Sequence, residues 1–335
     1  MEARKNMRKF EGGIRVWRRP ASVALLCVAA LSNALAQEQT YPGKPVRIVV
    51  PYPPGGADRL ARVMADRLRE KFSQPFVVEN RAGAAGNIGG EEVFRAPPDG
   101  YTLLFSAPGT LVTNKSLFAQ LRFDPDAFVP VSVISTSPNV LVVNPRAPSD
   151  TVQKLLAFAR ANPDKLNYGS AGSGSTPHLA AELFKALSGT RIVHIPYKGT
   201  APALTDLFGG TLDILFVEFA SALPHIRGGK LRALGVGSER RNAFLPEVPA
   251  LTEALPGFNS TVWFGIVAPP ATPMPIVNRL SAAIGEVLKQ PEMARRLTES
   301  GVEAVGSTPE QMAAFMKQER ERWGRVIHDT GATAE

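Results

Sequence analysis

Apolar residues follow two rhythms along the chain. Short runs rich in β-branched residues alternate with stretches whose apolar positions recur every three or four residues. That is the pattern of α/β units around a largely parallel sheet. Val46–Val50 (VRIVV) is apolar apart from Arg47, as expected of a strand largely covered on both faces. It breaks at Pro51-Tyr52-Pro53-Pro54-Gly55-Gly56, after which Leu60, Val63, Met64, Leu68 and Phe72 mark one face of a helix. Residues 76–78 predict a second strand, 80–90 a glycine-rich loop entering a short helix at 91–95, and Thr102–Ser106 a third strand. Residues 131–135 and 140–143 predict two separate strands. Val152, Leu155, Leu156 and Ala159 mark the next helix, followed by a strand over 166–169 and a helix over 177–187. A strand over 192–195 and a helix over 202–208 repeat the unit, and residues 212–217, 231–236 and 261–267 predict strands. The remainder reads as helical. Ile276, Val277, Leu280, Ile284, Val287 and Leu288 form one stripe, and Thr308-Pro309-Glu310-Gln311 combines a hydroxyl cap, a proline at the first position and a glutamine three residues on.

The first 36 of the 335 residues have a different character. A basic stretch ending at Arg18-Arg19 precedes eleven apolar residues over 21–31, then a small-x-small site, Ala34-Leu35-Ala36. This reads as a secretory signal cleaved before Gln37. Eleven helical residues rise only about 16 Å, too short to cross a bilayer core of roughly 30 Å. The expectation is therefore an exported and soluble protein. Cys27, the chain's single cysteine, lies in this segment, so the exported chain has no thiol for disulfides, metal or nucleophilic chemistry. The formal charge of +8 also shrinks. Seven Lys/Arg stand against Glu2 and Glu11 in the signal, which leaves about +3, too little to indicate a nucleic-acid surface. What remains suits about two domains at roughly 150 residues each.

Three loops share one plan: a buried strand, then Gly, Ser or Thr, then a helix start. They span residues 53–58, 170–178 and 196–202. In a parallel sheet such turns lie at the carboxyl ends of strands, where ligands bind. Helix N-termini leave backbone N–H groups unpaired and carry partial positive charge, so the arrangement suits an anion, above all a carboxylate. Each loop alone reads equally as ordinary turn chemistry; three together point to a cleft. Gly83, Gly86 and Gly89 do not have dinucleotide spacing, and no nucleotide loop is present. His178, His194, His225 and His328 form no metal spacing, so no metal or cofactor is expected. Asp58 reads either as a helix-start carboxylate or as a group that holds a water or meets a ligand ammonium. His178 reads as a helix-start or cleft-lining residue, with a Ser-His nucleophile pair, Ser173 or Ser175 with His178, as the alternative. Lys198 reads as a cation for an anionic ligand or as a solvated lysine.

At these loops the sequence resembles the Bug-type substrate-binding proteins of tripartite tricarboxylate transporters. The resemblance is carried by YPGKPVRIVVPYPPGGAD over 41–58, QPFVVENRAGAAGNIGG over 74–90, YGSAGSGSTPHLAAELF over 168–184, IPYKGTAPALTDLFGGTLD over 195–213 and ALPHIRGGKLRAL over 222–234. It implies an α/β, type II periplasmic-binding fold, with two lobes, a hinge and a ligand cleft between them. Lobe 1 would be discontinuous, 37–141 plus 263–335, and lobe 2 would span 142–262. It places Gly55, Gly56, Asp58, Ser106, Gly174, Ser175, Thr176 and Gly199 at or near the ligand. Tyr52, Ala107, Thr136, Ser173, His178, Lys198 and Glu218 complete the expected set. Val217-Glu218 departs from the family pattern; if Glu218 faces the cleft, a ligand with a cationic group gains ground. The implied function is capture of a small carboxylate, an organic acid or amino acid, without chemistry. Delivery would be to a membrane permease or a sensor, by a monomer with no nucleic-acid partner. A secreted serine hydrolase is the alternative. A cytoplasmic effector-binding domain is a third reading, opposed by the signal segment.

Overall fold

The computed structural model describes residues 41–299 and 301–334; the expected signal and its cleavage site lie outside the described residues. The chain divides into residues 1–43 and 44–335, and the fold below is that of the second unit.

Strand β1 (Val46–Val50) leads into helix α1 (Gly56–Phe72), whose Ala61, Met64, Ala65 and Leu68 are buried. Strand β2 (Phe76–Asn80), helix α2 (Asn87–Phe94) and strand β3 (Thr102–Ser106) follow. A short π-helical turn over Gly109–Thr113 runs into helix α3 (Asn114–Leu117). Strand β4 then runs without a break over Val129–Val143. Next come α4 (Val152–Ala161), β5 (Asn167–Ser170), α5 (Thr176–Ser188), β6 (Val193–Pro196), α6 (Thr200–Gly209), β7 (Ile214–Glu218), α7 (Phe219–Arg227) and β8 (Arg232–Val236). The chain closes with β9 (Thr261–Ala268), α8 (Met274–Leu288), α9 (Pro291–Glu299), β10 (Glu303–Ala304) and α10 (Pro309–Thr330). The start of α10 is the expected one: Thr308 Oγ1 accepts from Gln311 N at 3.2 Å, and Thr308 N donates to Gln311 Oε1 at 2.9 Å.

The strands form one sheet in the order β2-β1-β3-β9-β4-β7-β5-β6, with β10 and β8 also pairing β4. It works as two halves. In the first, β2, β1 and β3 are parallel and β9 and β4 antiparallel. In the second, β7, β5 and β6 are parallel. β4 belongs to both, pairing β9 from Val129↔Ala268 to Pro138↔Thr261 and β7 from Asn139↔Glu218 to Val143↔Ile214. The period of two then divides the second half's core. Leu141, Val143, Ile214 and Phe216 pack on Phe184 and Phe258, while Val140, Val142, Leu215 and Val217 pack on Leu204, Leu207 and Leu223. The first half packs Val49, Leu104, Val133, Trp263 and Val267 against Met312 and Met316 of α10.

Two expectations need correction. The strands expected over 131–135 and 140–143 are one strand. Ser135-Thr136-Ser137-Pro138 read as a polar interruption, but their backbone pairs with β9, and residues 135–136 also pair with β10. Helix α7 was not anticipated, because Pro224 lies inside it and breaks the helical reading.

Where the chain passes between halves, three segments are laced together. Asn139 N donates to Ser260 O at 2.9 Å, Gly237 N to Asn139 O at 2.6 Å, and Ser260 N to Gly237 O at 2.8 Å. The Asn139 side chain adds a bond to Ser260 Oγ at 2.8 Å. Gly237 is required for the close approach: a Cβ there would stand 2.5 Å from Ser260 O and 2.9 Å from Asn139 O, both backbone atoms. Gly237→Ala is expected to cost roughly 1–3 kcal/mol by overpacking. Denaturant unfolding checks this, and an unchanged midpoint would refute the lacing.

Candidate functional site

The carboxyl ends of the parallel strands carry the loops expected to bind. In the first half, β1 ends at Val50 and the chain turns through Tyr52 and Gly55 into α1, with no side chain capping the helix. The amides of its first turn therefore have no partner within the helix. Tyr52 ties this turn to the end of β3. Its hydroxyl lies 3.0 Å from Ser106 Oγ and accepts from Ala107 N at 3.2 Å. Asn80, at the end of β2, donates to Tyr52 O at 3.0 Å. Tyr52, Ser106 and Ala107 are thus one assembly, with Gly55 and Gly56 beside it in sequence. Thr136 lies further along β4: Val133 shares the Gly265 row with Ser106, and Thr136 pairs with Trp263 beyond it.

Asp58 is buried in the first turn of α1, and its charge is already matched. Arg62 Nε donates to Asp58 Oδ1 at 3.0 Å and Oδ2 at 3.1 Å, and Arg62 also donates to Asn80 Oδ1 at 3.2 Å. The Arg62 hydrogen bond, supported by Asn80 and opposed by burial, holds the Asp58 carboxyl below its ordinary value. The helix-start reading of Asp58 is the one this geometry supports.

In the second half, β5 ends at Ser170 and the hydroxyl-rich turn leads to α5. Ser175 caps this helix, accepting from His178 N at 3.4 Å and donating to Gly172 O at 2.7 Å. Gly174 has φ of 77°, and a Cβ there would sit 2.9 Å from Leu117 Cδ1 of α3. Ser173 is partly exposed, and Thr176 is buried at the first position of α5. The third loop is sewn to the second: Tyr197 N donates to Ser170 O at 3.2 Å and Gly199 N to Ala171 O at 3.1 Å. Gly199 precedes α6 without a side-chain cap, and Lys198 is exposed.

His178 does not present a free ring at the surface of this loop. It is 4% exposed, its Nδ1 accepts from Gly174 N at 3.0 Å, and its Nε2 lies 3.8 Å from Glu182 Oε1. The His178 and His194 rings stack at 4.2 Å between centroids, and His194 stacks on Tyr168 at 4.7 Å. Tyr168 donates to Glu182 Oε1 at 2.5 Å, and Lys185 donates to the same oxygen at 2.8 Å. His194 Nε2 is hydrogen bonded to Ser170 Oγ at 2.7 Å, and Ser170 Oγ accepts from Gly172 N at 3.2 Å. A buried ring stack thus holds the turn from below. This corrects the cleft-lining reading of His178, and the Ser-His pair is not assembled, because Ser175 Oγ meets the main-chain nitrogen of His178 rather than its ring. Tyr168 and Glu182 were missed. The only signal was Glu182 at helical spacing from His178.

Burial pushes His194 down to about 4, with His178 adding to the fall, and burial lowers His178 too. The His194 ring is therefore neutral in the fold at pH 6.5, where free imidazole is half protonated. Glu182 runs the other way: burial opposes its ionisation, but the Lys185 and Tyr168 hydrogen bonds hold it below its ordinary value. Because the folded imidazole value lies below the unfolded one, its stability contribution is whole above pH 6.5 and is lost as pH falls towards 4. For His194 the loss is up to about 3 kcal/mol, at about 1.4 kcal/mol per pH unit. Unfolding followed from pH 7 to 4 is expected to give a flatter pH dependence for His194→Gln than for the parent; equal slopes would refute the assignment.

Glu218 ends β7 and keeps partial access to solvent. Its Oε2 accepts from Thr200 Oγ1, at the first turn of α6, at 3.1 Å. Burial lifts its carboxyl above the ordinary value, against its own backbone N–H and the Thr200 hydroxyl.

The chain is similar to known proteins over most of its length. A family model for tripartite tricarboxylate transporter family receptors matches residues 60–332. The chain is 37% identical to protein BugT of Bordetella pertussis over 316 residues, covering 93% of this chain and 97% of BugT. A solved structure of R. palustris Rpa4515 with adipate aligns with a TM-score of 0.82 at 37% identity, covering 88% of this chain and 99% of that one. MatC of Rhodopseudomonas palustris with bound malate aligns at 0.79 and 32% identity, covering 86% and 100%.

Proposed function

This chain belongs to the tripartite tricarboxylate transporter receptor family, and on that premise we propose that it is a periplasmic receptor capturing a small carboxylate between two lobes. The lobes are residues 37–141 with 263–335, and residues 142–262. One observation carries the reading. Uncapped or self-capped starts of α1, α5 and α6 stand at the carboxyl edges of two half-sheets joined by β4. The ligand's carboxylate is gripped by the amides at Gly55 and Gly56 from one lobe and by the start of α5 at Thr176 from the other, while Gly174, Ser175 and Gly199, whose own donors go to His178 Nδ1, Gly172 O and Ala171 O, hold the turns beside it. Tyr52, Ser106, Ala107, Thr136, Ser173 and Lys198 shape the remaining wall, while Asp58 and His178 act from behind, by holding α1 and the hydroxyl-rich turn. Closure of the lobes would exclude water and strengthen each charge-assisted hydrogen bond.

The receptor does no chemistry on its ligand. That is supported by His178, whose ring nitrogens are engaged by Gly174 N and face Glu182 rather than a serine hydroxyl. It is exported through the segment before Gln37, works as a monomer, and hands the ligand to the membrane subunits of a tripartite tricarboxylate-type transporter.

A thermal-shift screen of organic acids and amino acids tests this. A bound carboxylate at 100 times its Kd is expected to add about 2.7 kcal/mol of stability. Ser175→Ala is expected to weaken that binding about fivefold through loss of a helix cap, roughly 1 kcal/mol, and a hydrolysable ester panel is expected to show no turnover. Silence towards all carboxylates, or ester turnover abolished by Ser175→Ala, would overturn the reading.

A further inference from the structure

One acidic side chain at the proposed binding edge has no basic partner among the described residues. The two acidic candidates differ in this respect. Asp58 is held by both oxygens on Arg62. Glu218 has a hydroxyl, Thr200 Oγ1, as its side-chain partner among the described residues. The groups that act on its ionisation are burial, its own backbone N–H and that hydroxyl, with no lysine or arginine among them.

The position of Glu218 follows from the strand order. β7, β5 and β6 are parallel neighbours, so their carboxyl ends, Glu218, Ser170 and Pro196, lie along one edge. Strands stand about 4.8 Å apart, which puts the ends of β7 and β6 roughly 10 Å from each other. Thr200 opens α6, the helix that carries the chain back from β6 to β7, and its hydroxyl meets the Glu218 carboxyl at this edge. Of three helix starts at the carboxyl edges, one already carries an acidic side chain of the protein's own.

We infer that Glu218 is a specificity-determining residue, and that the ligand is a carboxylate bearing an ammonium group, an amino acid or ω-amino acid, rather than a dicarboxylate. This rests on the receptor reading above. The ligand's carboxylate takes the starts of α1 and α5, and its ammonium meets Glu218. A second carboxylate would be placed against Glu218, a like charge in a partly desolvated site, and would be rejected. Adipate and malate, seen with the relatives, are then poor ligands for this chain.

Matched pairs of equal length test the inference by calorimetric titration: adipate against 6-aminohexanoate, glutarate against 5-aminopentanoate, and succinate against 4-aminobutyrate. The protein is expected to bind the best amino member at least tenfold tighter than its dicarboxylate twin. Glu218→Gln, checked for folding by circular dichroism, is expected to erase or reverse that ratio, whereas Asp58→Asn shifts both members of a pair together. A parent protein that prefers dicarboxylates overturns the inference without a variant and leaves the receptor reading standing. So does a ratio unchanged by Glu218→Gln, or one inverted by Asp58→Asn instead. Failure of the parent protein and Glu218→Gln to bind any carboxylate overturns the receptor reading as well.

Discussion

One strand serves both halves of this protein. β4 spends residues 129–138 on β9 and residues 139–143 between β7 and β8, so the register of one half fixes where the other begins. At the junction, Asn139, Gly237 and Ser260 exchange backbone hydrogen bonds in a space where only glycine fits at the middle position. Loops at the edge of either half are thereby positioned from one shared backbone. The arrangement is what a receptor needs if each lobe is to contribute half a grip.

In the proposed site each grip would be made of backbone, with side chains behind it setting its shape. Tyr52 joins the end of β1 to the end of β3, and Asn80 fixes the peptide of Tyr52 while Arg62 links it to Asp58. On the other lobe, His178 and Ser170 take up N–H groups of the hydroxyl-rich turn, and the stack of His178, His194 and Tyr168 braces them from the core. Asp58, Ser106, Ser170, His178 and Glu182 are buried yet satisfied, which is the condition under which they rigidify a site rather than destabilise it. Glu218 stands apart because its side-chain partner is a hydroxyl and not a basic group.

Much of this was legible in the residues. VRIVV predicted β1, the Thr308–Gln311 pattern predicted the start of α10, and the three Gly/Ser/Thr loops predicted where strands hand over to helices. What failed did so for physical reasons. Ser135-Thr136-Ser137-Pro138 look like a turn because their side chains are small and polar, whereas the strand is held through its backbone by neighbours distant in sequence. Proline hid α7. Asp58 and His178 have polar side chains beside a helix start, so sequence alone does not reveal which way they face. Arg62 and Glu182, each one helical turn further on, supply the ion pair for Asp58 and the buried carboxylate beside His178. Whether a charge is neutralised is a property of neighbours in space, and that separates Asp58 from Glu218.

The account's central claim is that both lobes hold the same carboxylate. A crystal structure with the acid that raises the melting temperature most tests it directly. Its carboxylate oxygens are expected within about 3 Å of backbone N–H groups at the start of α1 and, in the same molecule, of donors at the start of α5. A ligand seated on one half-sheet alone, with the other lobe's loops turned to solvent, would contradict it.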